Sequence, residues 1–324
     1  EGIGPSFFEV TTAAAFLAFS RTPADAAIIE VGLGGRLDAT NILPAPAVCG
    51  IAQLGLDHQA FLGDRIEDIA AEKAGIAKPG APLVTQHYSR AVADRIGEAA
   101  AAAGAPWFPR GSNWDASVYR GKLHYRDEGG ELALPLPRLP GRHQAMNAAL
   151  AVAMLRRQQA LPLGEAALRA AMGWAEWPAR LQRLGDGPLT ALLPEGAELW
   201  LDGGHNPAAA RVLADHFKGL WRAEQPLHIV LGLLANKDAG GVLDAFKARD
   251  ARFYMVPVPG HEHHMPEELA AMAARAGFGA QTATDVDAAL KQVAAAADEK
   301  PTVLIMGSLY LAGTVLKAND QVPA

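Results

Sequence analysis

The sequence predicts an α/β protein with two domains. Short apolar runs rich in β-branched residues alternate along the 324-residue chain with alanine-rich segments of helical spacing. The predicted strands are continuous apolar runs, which are typical of parallel sheets covered by helices on both faces. Half of the residues are hydrophobic, so the chain can bury more than one core.

The predicted elements follow one another in a regular order. Seven strands are predicted at residues 25–31, 47–55, 81–86, 199–204, 227–234, 251–258 and 301–308. Helices are predicted at 11–20, where the helix is expected to be buried, at 68–78, where Pro79-Gly80 ends the helix, and at 143–160, 207–223 and 266–277. Residues 114–137 alternate polar and apolar side chains around Gly129-Gly130, which predicts a small antiparallel insertion.

The domain boundary is predicted where the pattern weakens. Residues 173–188 combine Trp, Pro, Arg and Gly with little periodicity, and we interpret them as the connection between domains. The sequence therefore predicts an N-terminal domain at 1–178, a linker at 179–184 and a C-terminal domain at 185–324.

Charge and composition disfavour several classes of protein. The net charge is -6 and no basic stripe is present, which disfavours nucleic-acid and anionic-membrane partners. The single cysteine, Cys49, cannot form an intrachain disulfide and suits a reducing compartment. No apolar run approaches the ~20 residues that span a bilayer. We expect a cytoplasmic monomer that acts on small molecules.

The stretch AAIIEVGLGGRLDATN places Glu30 at the end of a predicted buried strand, before three glycines. It is not a dinucleotide fingerprint, because Leu37 stands where G-x-G-x-x-G requires glycine. Glycines let a backbone approach a ligand closely, and a carboxylate at a strand end suits Mg²⁺ shared with phosphates. The alternative is an ordinary turn in which Glu30 is a surface or capping acid.

Polar side chains also follow other predicted strands. Asp57 and His58 follow the second strand, and Asp202 and His205 follow the fourth. Ligands bind at the carboxyl ends of strands in open α/β sheets, so these positions are candidates for a site. Ser308 begins the helix after the last strand, where a carboxylate could dock. Each residue also has a plain alternative as part of a turn or cap.

Two further patterns leave alternatives open. Lys73 lies in a helix beside the apolar AGIA, so it is either a solvated lysine or a partly buried one that needs a partner or chemical modification. The HEHHM segment at 261–265 lacks the last histidine of H-E-x-x-H, so an exposed polar turn is favoured over a zinc site.

Together the motifs resemble those of the bifunctional folylpolyglutamate synthase/dihydrofolate synthase family, within the Mur ligase superfamily. The matching segments run in family order from Ser6 to Gly313: SFFEVTT, EVGLGGRLDATN, LDHQAFLG, AAEKAGIAKPG, GRHQAMNAALA, WPARLQ, LDGGHNPAAA, VLGLLANKD and MGSLYLAG. The resemblance implies an ATPase domain of the P-loop type, here incomplete, and a smaller Rossmann-like domain that binds glutamate. It also implies an ATP-dependent ligase that joins L-glutamate to dihydropteroate or a folate through an acyl phosphate.

The resemblance implies roles for the matching residues. The Mg²⁺ ligands would be Glu30 and His58, with K⁺ as a candidate monovalent cation. A carbamylated Lys73 would be catalytic and would help to hold a second Mg²⁺. The ATP contacts would be Asn147, Arg180 and Asp202. The incoming glutamate would be oriented by Ser308 and by His205, which would also be catalytic. The folate would be met by Ser6, Phe7, Phe8, Glu9, Leu37, Asp38 and Ala39.

One expected feature of the family is missing from the sequence. The P-loop pattern G-x-x-x-x-G-K-[ST] has no match, and the chain starts at Glu1 in the middle of a pattern. Because the family has this loop upstream of SFFE, the chain is expected to be truncated at its N-terminus. Such a chain is not expected to hydrolyse ATP at family rates by itself.

Three other interpretations stay open. The nearest is another Mur-type ligase, acting on a UDP-sugar peptide or cyanophycin, although GRLDATN and LDGGHNP favour the folate branch. A catalytically silent protein that binds only a ligand or a partner is supported by the missing P-loop. An NAD-dependent dehydrogenase is disfavoured because the third glycine of its fingerprint is absent.

Overall fold

The computed structural model describes residues 4–56, 59–220, 226–248, 250–297 and 300–322. The chain divides into two compact units, one formed by Glu1–Pro137 with Ala145–Trp174 and the other by Arg138–Gln144 with Ala175–Ala324. Both units contain parallel strands and helices, so the predicted α/β class is confirmed.

The first part of the chain carries a three-stranded parallel sheet in the order β1-β2-β3. Its strands are β1 (Cys49–Ile51), β2 (Leu83–Thr85) and β3 (Trp107–Pro109). The first two confirm predicted strands, whereas the third was not predicted. The helices of this part are α1 (Phe7–Arg21), α2 (Gln59–Leu62), α3 (Ile66–Ala74), α4 (Arg90–Ala103), α5 (Arg142–Arg157) and α6 (Glu165–Trp174).

The predicted antiparallel insertion is confirmed. It consists of β4 (Trp114–Tyr119), β5 (Lys122–Asp127) and β6 (Gly130–Pro135), paired in that order. The pairing of Asp127 with Gly130 places the predicted Gly-Gly in the tight turn. One face of this sheet packs on α5, since Leu123 and Leu134 share a buried core with Ala149.

The predicted strand at 25–31 is wrong. The segment is irregular, and Ile28 is 97% exposed. A parallel strand is stable only when a neighbour completes its hydrogen-bonded ladder, and among the described residues no strand pairs with this segment. Glu30 therefore lies exposed on an irregular segment instead of at the end of a buried strand.

The helix predicted at 11–20 is confirmed as part of α1, but its predicted burial is wrong. Thr12 is the one buried residue of α1, and Phe7 is 84% exposed. Apolar residues lie all around this helix, so its sequence has no polar face that identifies the solvent side.

The second unit is built on a six-stranded sheet in the order β11-β10-β9-β12-β8-β7. The strands are β7 (Gln182–Arg183), β8 (Glu198–Leu201), β9 (Leu227–Leu231), β10 (Ala251–Met255), β11 (Gly279–Thr282) and β12 (Thr302–Met306). All pairs are parallel except β7 with β8. The helices are α7 (Pro207–Leu220), α8 (Ala239–Asp244), α9 (Pro266–Arg275), α10 (Val286–Ala296) and α11 (Leu309–Ala318).

The sheet of the second unit is buried on both faces, as the continuous apolar runs predicted. Neighbouring residues of β9 enter different cores, Ile229 on one face and Val230 on the other. At the edge of this sheet, β7 lies within the predicted linker 179–184. The bounds 1–178, 179–184 and 185–324 themselves stay a prediction. No helix in the described ranges has the length and apolar character needed to cross a membrane.

A buried histidine lies inside this sheet. His228 on β9 is 2% exposed, and its Nδ1 lies 3.0 Å from the hydroxyl oxygen of Tyr254 on β10. Burial, reinforced by the charge of Arg252 and opposed by that of Asp250, lowers the pKa of His228 from 6.5 to about 4. Below pH 6.5 the unfolded chain therefore binds a proton that the folded chain does not.

We predict that the free energy of unfolding falls as the pH drops from 6.5 to about 4, by about 3 kcal/mol from this group. The substitution His228→Asn, which keeps a polar partner for Tyr254, should remove this part of the pH dependence in urea unfolding. The control Tyr254→Phe leaves the buried imidazole in place and should retain it. Equal pH slopes for the wild type and His228→Asn would contradict the prediction.

Candidate active site

The glycine-rich loop at 32–41 is organised by the carboxylate of Asp38, which is 9% exposed. Its Oδ2 accepts hydrogen bonds from the amides of Gly32 (3.0 Å) and Leu33 (2.8 Å), and its Oδ1 accepts from the amide of Thr40 (2.9 Å) and its hydroxyl. Burial alone would raise the pKa of Asp38, but these hydrogen bonds outweigh it and lower the pKa. The acid therefore stays ionised and holds the loop closed.

Two glycines of this loop serve internal packing, and the expectation that the loop also admits a ligand stays a prediction. A Cβ on Gly35 would lie 2.7 Å from the carbonyl oxygen of Glu72 and 2.9 Å from that of Lys73, at the end of α3. A Cβ on Gly32 would lie 2.3 Å from the ring of Phe8. Neither position has room for a side chain, because another part of the same chain occupies the space.

The loop is fastened to the C-terminal end of α3, which carries Lys73. The amide of Arg36 donates to the Glu72 carbonyl (2.9 Å), and its guanidinium pairs with the Glu72 carboxylate at 2.8 Å. The Asn41 side chain donates to the carbonyl of Gly75 (3.0 Å). Lys73 is half-buried at this junction, as the second of its two predicted alternatives required.

The residues predicted to meet a folate lie near this loop, in structural roles or exposed. Ser6 and Glu9 form a capping box at the start of α1, which packs next to the 3₁₀ helix Ala39–Ile42. Two of the predicted residues are exposed apolar side chains: Phe7 at the start of α1 is 84% exposed, and Leu37 in the loop is 79% exposed. The contact of these residues with folate stays a prediction.

Of the two residues predicted to bind Mg²⁺ directly, Glu30 and His58, only Glu30 lies in the described part of the chain. Glu30 is exposed. Asp57 and His58 lie outside the described residues. Within the described ranges, no group of three or more His, Cys, Asp or Glu side chains could hold a metal ion.

The second unit gathers three glycine-bearing turns at neighbouring strand ends. Gly203 follows β8, Gly232 follows β9 and Gly307 follows β12, the strand between them. The amide of Asp202 donates to the carbonyl of Ile305 (3.0 Å), which ties the first turn to β12. The predicted placement of Asp202, His205 and Ser308 at carboxyl strand ends is confirmed.

Asp202 is 8% exposed, and backbone amides approach both of its oxygens. Its Oδ2 accepts from Leu181 at 2.8 Å, and its Oδ1 accepts from Gly204 at 2.6 Å. Burial raises the pKa of Asp202, against the hydrogen bonds and the charges of Arg180 and His205, which lower it. Asp202 therefore acts here as the anchor of two turns, and its direct contact with ATP stays a prediction.

Arg180 lies between two non-glycine residues with positive φ. The φ angle is 54° at Ala179 and 44° at Leu181, in the left-handed region that costs about 1–2 kcal/mol per ordinary residue. Arg180 is half-buried, and a guanidinium nitrogen would lie 3.2 Å from a Cβ built on Gly203. The turn thus holds a positive charge beside the end of β8.

The other predicted residues occupy ordinary structural positions. His205 is half-buried, with Nδ1 2.9 Å from the Gly203 carbonyl oxygen. Because a carbonyl only accepts, Nδ1 carries the proton in this contact. Ser308 is 3% exposed and caps α11, where its hydroxyl accepts from the Tyr310 amide at 3.1 Å. Asn147 is exposed on α5, in the first unit.

The HEHHM segment forms a turn whose histidines bind within the chain. His264 Nε2 lies 2.9 Å from the Lys237 carbonyl oxygen, and His263 Nδ1 lies 2.7 Å from that of His261. His261 stacks on Tyr310 with ring centroids 3.6 Å apart.

Sequence reasoning missed the pair Gly232 and Gly307. A Cβ on Gly307, where φ is 116°, would lie 2.3 Å from the Gly232 carbonyl oxygen. Each glycine directly follows a buried apolar strand, and that repeated pattern is the signal that could have identified them. Their close approach fixes where α11 and its cap Ser308 begin.

Known proteins are similar to this chain in sequence and in fold. Residues 188–309 match the family model described as Mur ligase, glutamate ligase domain. The folylpolyglutamate synthase of Lacticaseibacillus casei is 34% identical over 95% of this chain and 70% of its own length. The structure of E. coli FolC in complex with DHPP and ADP is 32% identical, with a TM-score of 0.85 over 97% of this chain and 71% of that chain.

The chain belongs to the folylpolyglutamate synthase/dihydrofolate synthase family. The family identified from the motifs, its ligase class and its two-domain Mur-ligase-like architecture are thereby confirmed. A further structure of this family, with Mn, AMPPNP and L-glutamate bound, has a TM-score of 0.83 at 32% identity over 98% of this chain and 72% of that chain.

We predict that Gly307→Ala destabilises the protein by about 3 kcal/mol, because it adds a clash with Gly232 to an unfavourable φ. The matched control is Gly313→Ala on α11, where a Cβ meets nothing within 4 Å. That change should stabilise by about 1 kcal/mol, as expected for an exposed helical glycine. Urea unfolding measures both, and equal effects of the two substitutions would contradict the assigned contact.

Proposed function

We propose that this protein is an ATP-dependent ligase that adds L-glutamate to dihydropteroate or to a tetrahydrofolate. The observation that carries the proposal is the row of strand ends bearing Asp202, His205 and Ser308. All three residues lie within residues 188–309, the segment that matches the glutamate ligase domain. The relative from L. casei is named folylpolyglutamate synthase, which supports the folate acceptor.

The proposed reaction has two steps. An oxygen of the acceptor carboxylate attacks the γ-phosphorus of ATP, which breaks the bond to the β-phosphate oxygen and releases ADP. The glutamate amine then attacks the carbonyl carbon of the acyl phosphate. The carbon–oxygen bond to phosphate breaks, phosphate leaves, and the new amide nitrogen loses a proton.

The second unit supplies groups suited to these steps. Arg180 offers a planar guanidinium that matches phosphate oxygens, and its half-buried position strengthens the attraction. Ser308 and the first amides of α11 suit a carboxylate of the incoming glutamate. His205, with its proton fixed on Nδ1, would orient the amine through Nε2.

The first unit would supply the folate surface and Lys73. Carbamylation of Lys73 would exchange a half-buried cation for an anion, by addition of CO₂ to the neutral amine with loss of a proton. ATP contact by Asn147 and Asp202, and folate contact by Ser6, Phe7, Phe8, Glu9, Leu37, Asp38 and Ala39, belong to the same proposal.

A divalent metal does not fit the described residues as a complete site. Glu30 is exposed, and among the described residues it belongs to no group of three or more His, Cys, Asp or Glu side chains that could hold a metal ion. The assignment of Glu30 and His58 to Mg²⁺, and of K⁺ as a monovalent cation, stays a prediction.

The proposal is tested by glutamate-dependent phosphate release from ATP, using protein expressed from its complete reading frame. Dihydropteroate, tetrahydrofolate and a UDP-sugar peptide are offered in parallel, with reactions lacking L-glutamate as controls. Turnover with either pterin acceptor is expected. Turnover with the UDP-sugar peptide alone, or no turnover by folded protein that binds ADP, would overturn the proposed acceptor class.

The role of Arg180 makes a separate prediction. Arg180→Lys keeps the charge but loses the forked donor geometry, so the KM for ATP should rise about tenfold with the fold intact. The matched control is Arg183→Lys, an exposed arginine whose guanidinium lies 3.3 Å from the Glu198 carboxylate. Steady-state kinetics at saturating glutamate measure both, and identical KM values for the two variants would exclude Arg180 as a nucleotide contact.

A further inference from the structure

The segment that presents Arg180 adopts a conformation that its own residues disfavour. Ala179 and Leu181 both have positive φ, although neither is glycine. Ordinary residues hold such angles only when surrounding contacts impose them. The turn at 179–181 therefore depends on hydrogen bonds from elsewhere in the unit.

Two of these bonds come from the end of β8. The amide of Gly203 donates to the Ala179 carbonyl at 2.9 Å, and the amide of Leu181 donates to Asp202 Oδ2 at 2.8 Å. These two bonds hold the Ala179 carbonyl and the Leu181 amide against the end of β8. The amide of Ala179 is not part of them and needs an acceptor of its own.

The third bond comes from Gln182. Its side-chain oxygen accepts from the amide of Ala179 at 2.9 Å, which closes the turn across Arg180. The backbone of Gln182 is itself held in β7, opposite Leu201 of β8. The side-chain oxygen of Gln182 therefore reaches the turn from a backbone that the sheet holds in place. It is the hydrogen-bond partner found for the amide of Ala179, a residue that is 3% exposed.

We propose that Gln182 is a positioning residue for Arg180. Its amide oxygen holds the left-handed turn at Ala179, so that the guanidinium stays over Gly203 and faces a phosphate group of the nucleotide. Without this acceptor, the buried amide of Ala179 loses its partner, and the turn relaxes towards negative φ. The inference rests on the proposed function, because it takes Arg180 as a nucleotide contact.

The test compares variants of Gln182 in protein expressed from its complete reading frame. Gln182→Met keeps the length of the side chain but has no amide oxygen, and Gln182→Glu keeps an acceptor at the same reach. We expect Gln182→Met to weaken ADP binding about tenfold in calorimetry and to raise the KM for ATP similarly. The kcat should change less than twofold, and Gln182→Glu should remain within about threefold of the wild type.

The chain offers a matched control in Gln321. Its side-chain oxygen likewise accepts a backbone amide, that of Gly185 at 3.1 Å, and its residue is also partly buried. Gln321→Met should lower the melting temperature comparably and leave ADP binding unchanged. Equal loss of ADP binding in both variants would show a general structural effect and overturn the proposal, as would unchanged binding in Gln182→Met.

The outcomes separate this inference from the proposed function. If the wild type binds ADP but ligates no folate acceptor, the proposed function fails, and the binding comparison still decides the role of Gln182. If the wild type does not bind ADP, the inference is overturned together with the nucleotide role of Arg180.

Should Gln182→Met not fold, Gln182→Asn is the milder second variant, because it shortens the reach of the amide by one methylene. Unchanged ADP binding in it would likewise overturn the proposal.

Discussion

The candidate site of the second unit depends on one buried carboxylate, that of Asp202. A buried anion is unfavourable unless polar groups approach it closely. Asp202 draws one backbone amide to each oxygen, from Leu181 on the edge segment and from Gly204 at the end of β8. These two bonds connect parts of the chain that are 21 and two residues away in sequence. The position of Arg180, directly before Leu181, follows from that connection.

The first unit uses the same device at its glycine-rich loop. Asp38 binds the amides of Gly32, Leu33 and Thr40, and thereby holds a loop that packs on α3. The two acids differ in the direction of their pKa shifts. Four hydrogen bonds outweigh burial at Asp38 and lower its pKa, whereas burial prevails over two hydrogen bonds at Asp202 and raises its pKa. Asp38 therefore stabilises its loop down to lower pH than an ordinary aspartate would.

The parts of the fold that sequence predicted are those with a strong local pattern. The runs that became β9, β10 and β12 are continuous and apolar, and each is buried on both faces. The short strands β3 and β11, with the sequences WFP and GAQT, carry no such pattern and were missed. The apolar run at 25–31 was predicted wrongly, because a parallel strand also needs a partner that its own sequence does not specify.

The same distinction applies to the site. Asp202, His205 and Ser308 could be predicted, because a polar residue directly after an apolar strand has a known place in an α/β sheet. Gln182 could not, because its role depends on the backbone angles of a neighbouring alanine. At the glycine loop, Gly35 makes room for α3, a role that the sequence pattern did not identify. A glycine indicates close approach, but the sequence does not say whether the approaching group is a ligand or the chain itself.

The choice of residues at the strained turn has a physical reason. Glycine would remove the cost of positive φ at Leu181, but it would also remove a side chain that is 1% exposed in one core of the sheet. Full burial of a leucine stabilises the folded state by about 1.5–3 kcal/mol. This gain offsets the strain of the left-handed conformation, which costs about 1–2 kcal/mol. Ala179 belongs to the core on the opposite face. Side chains on either side of Arg180 are thus anchored in different cores, so burial and hydrogen bonds together fix the one residue between them that carries charge.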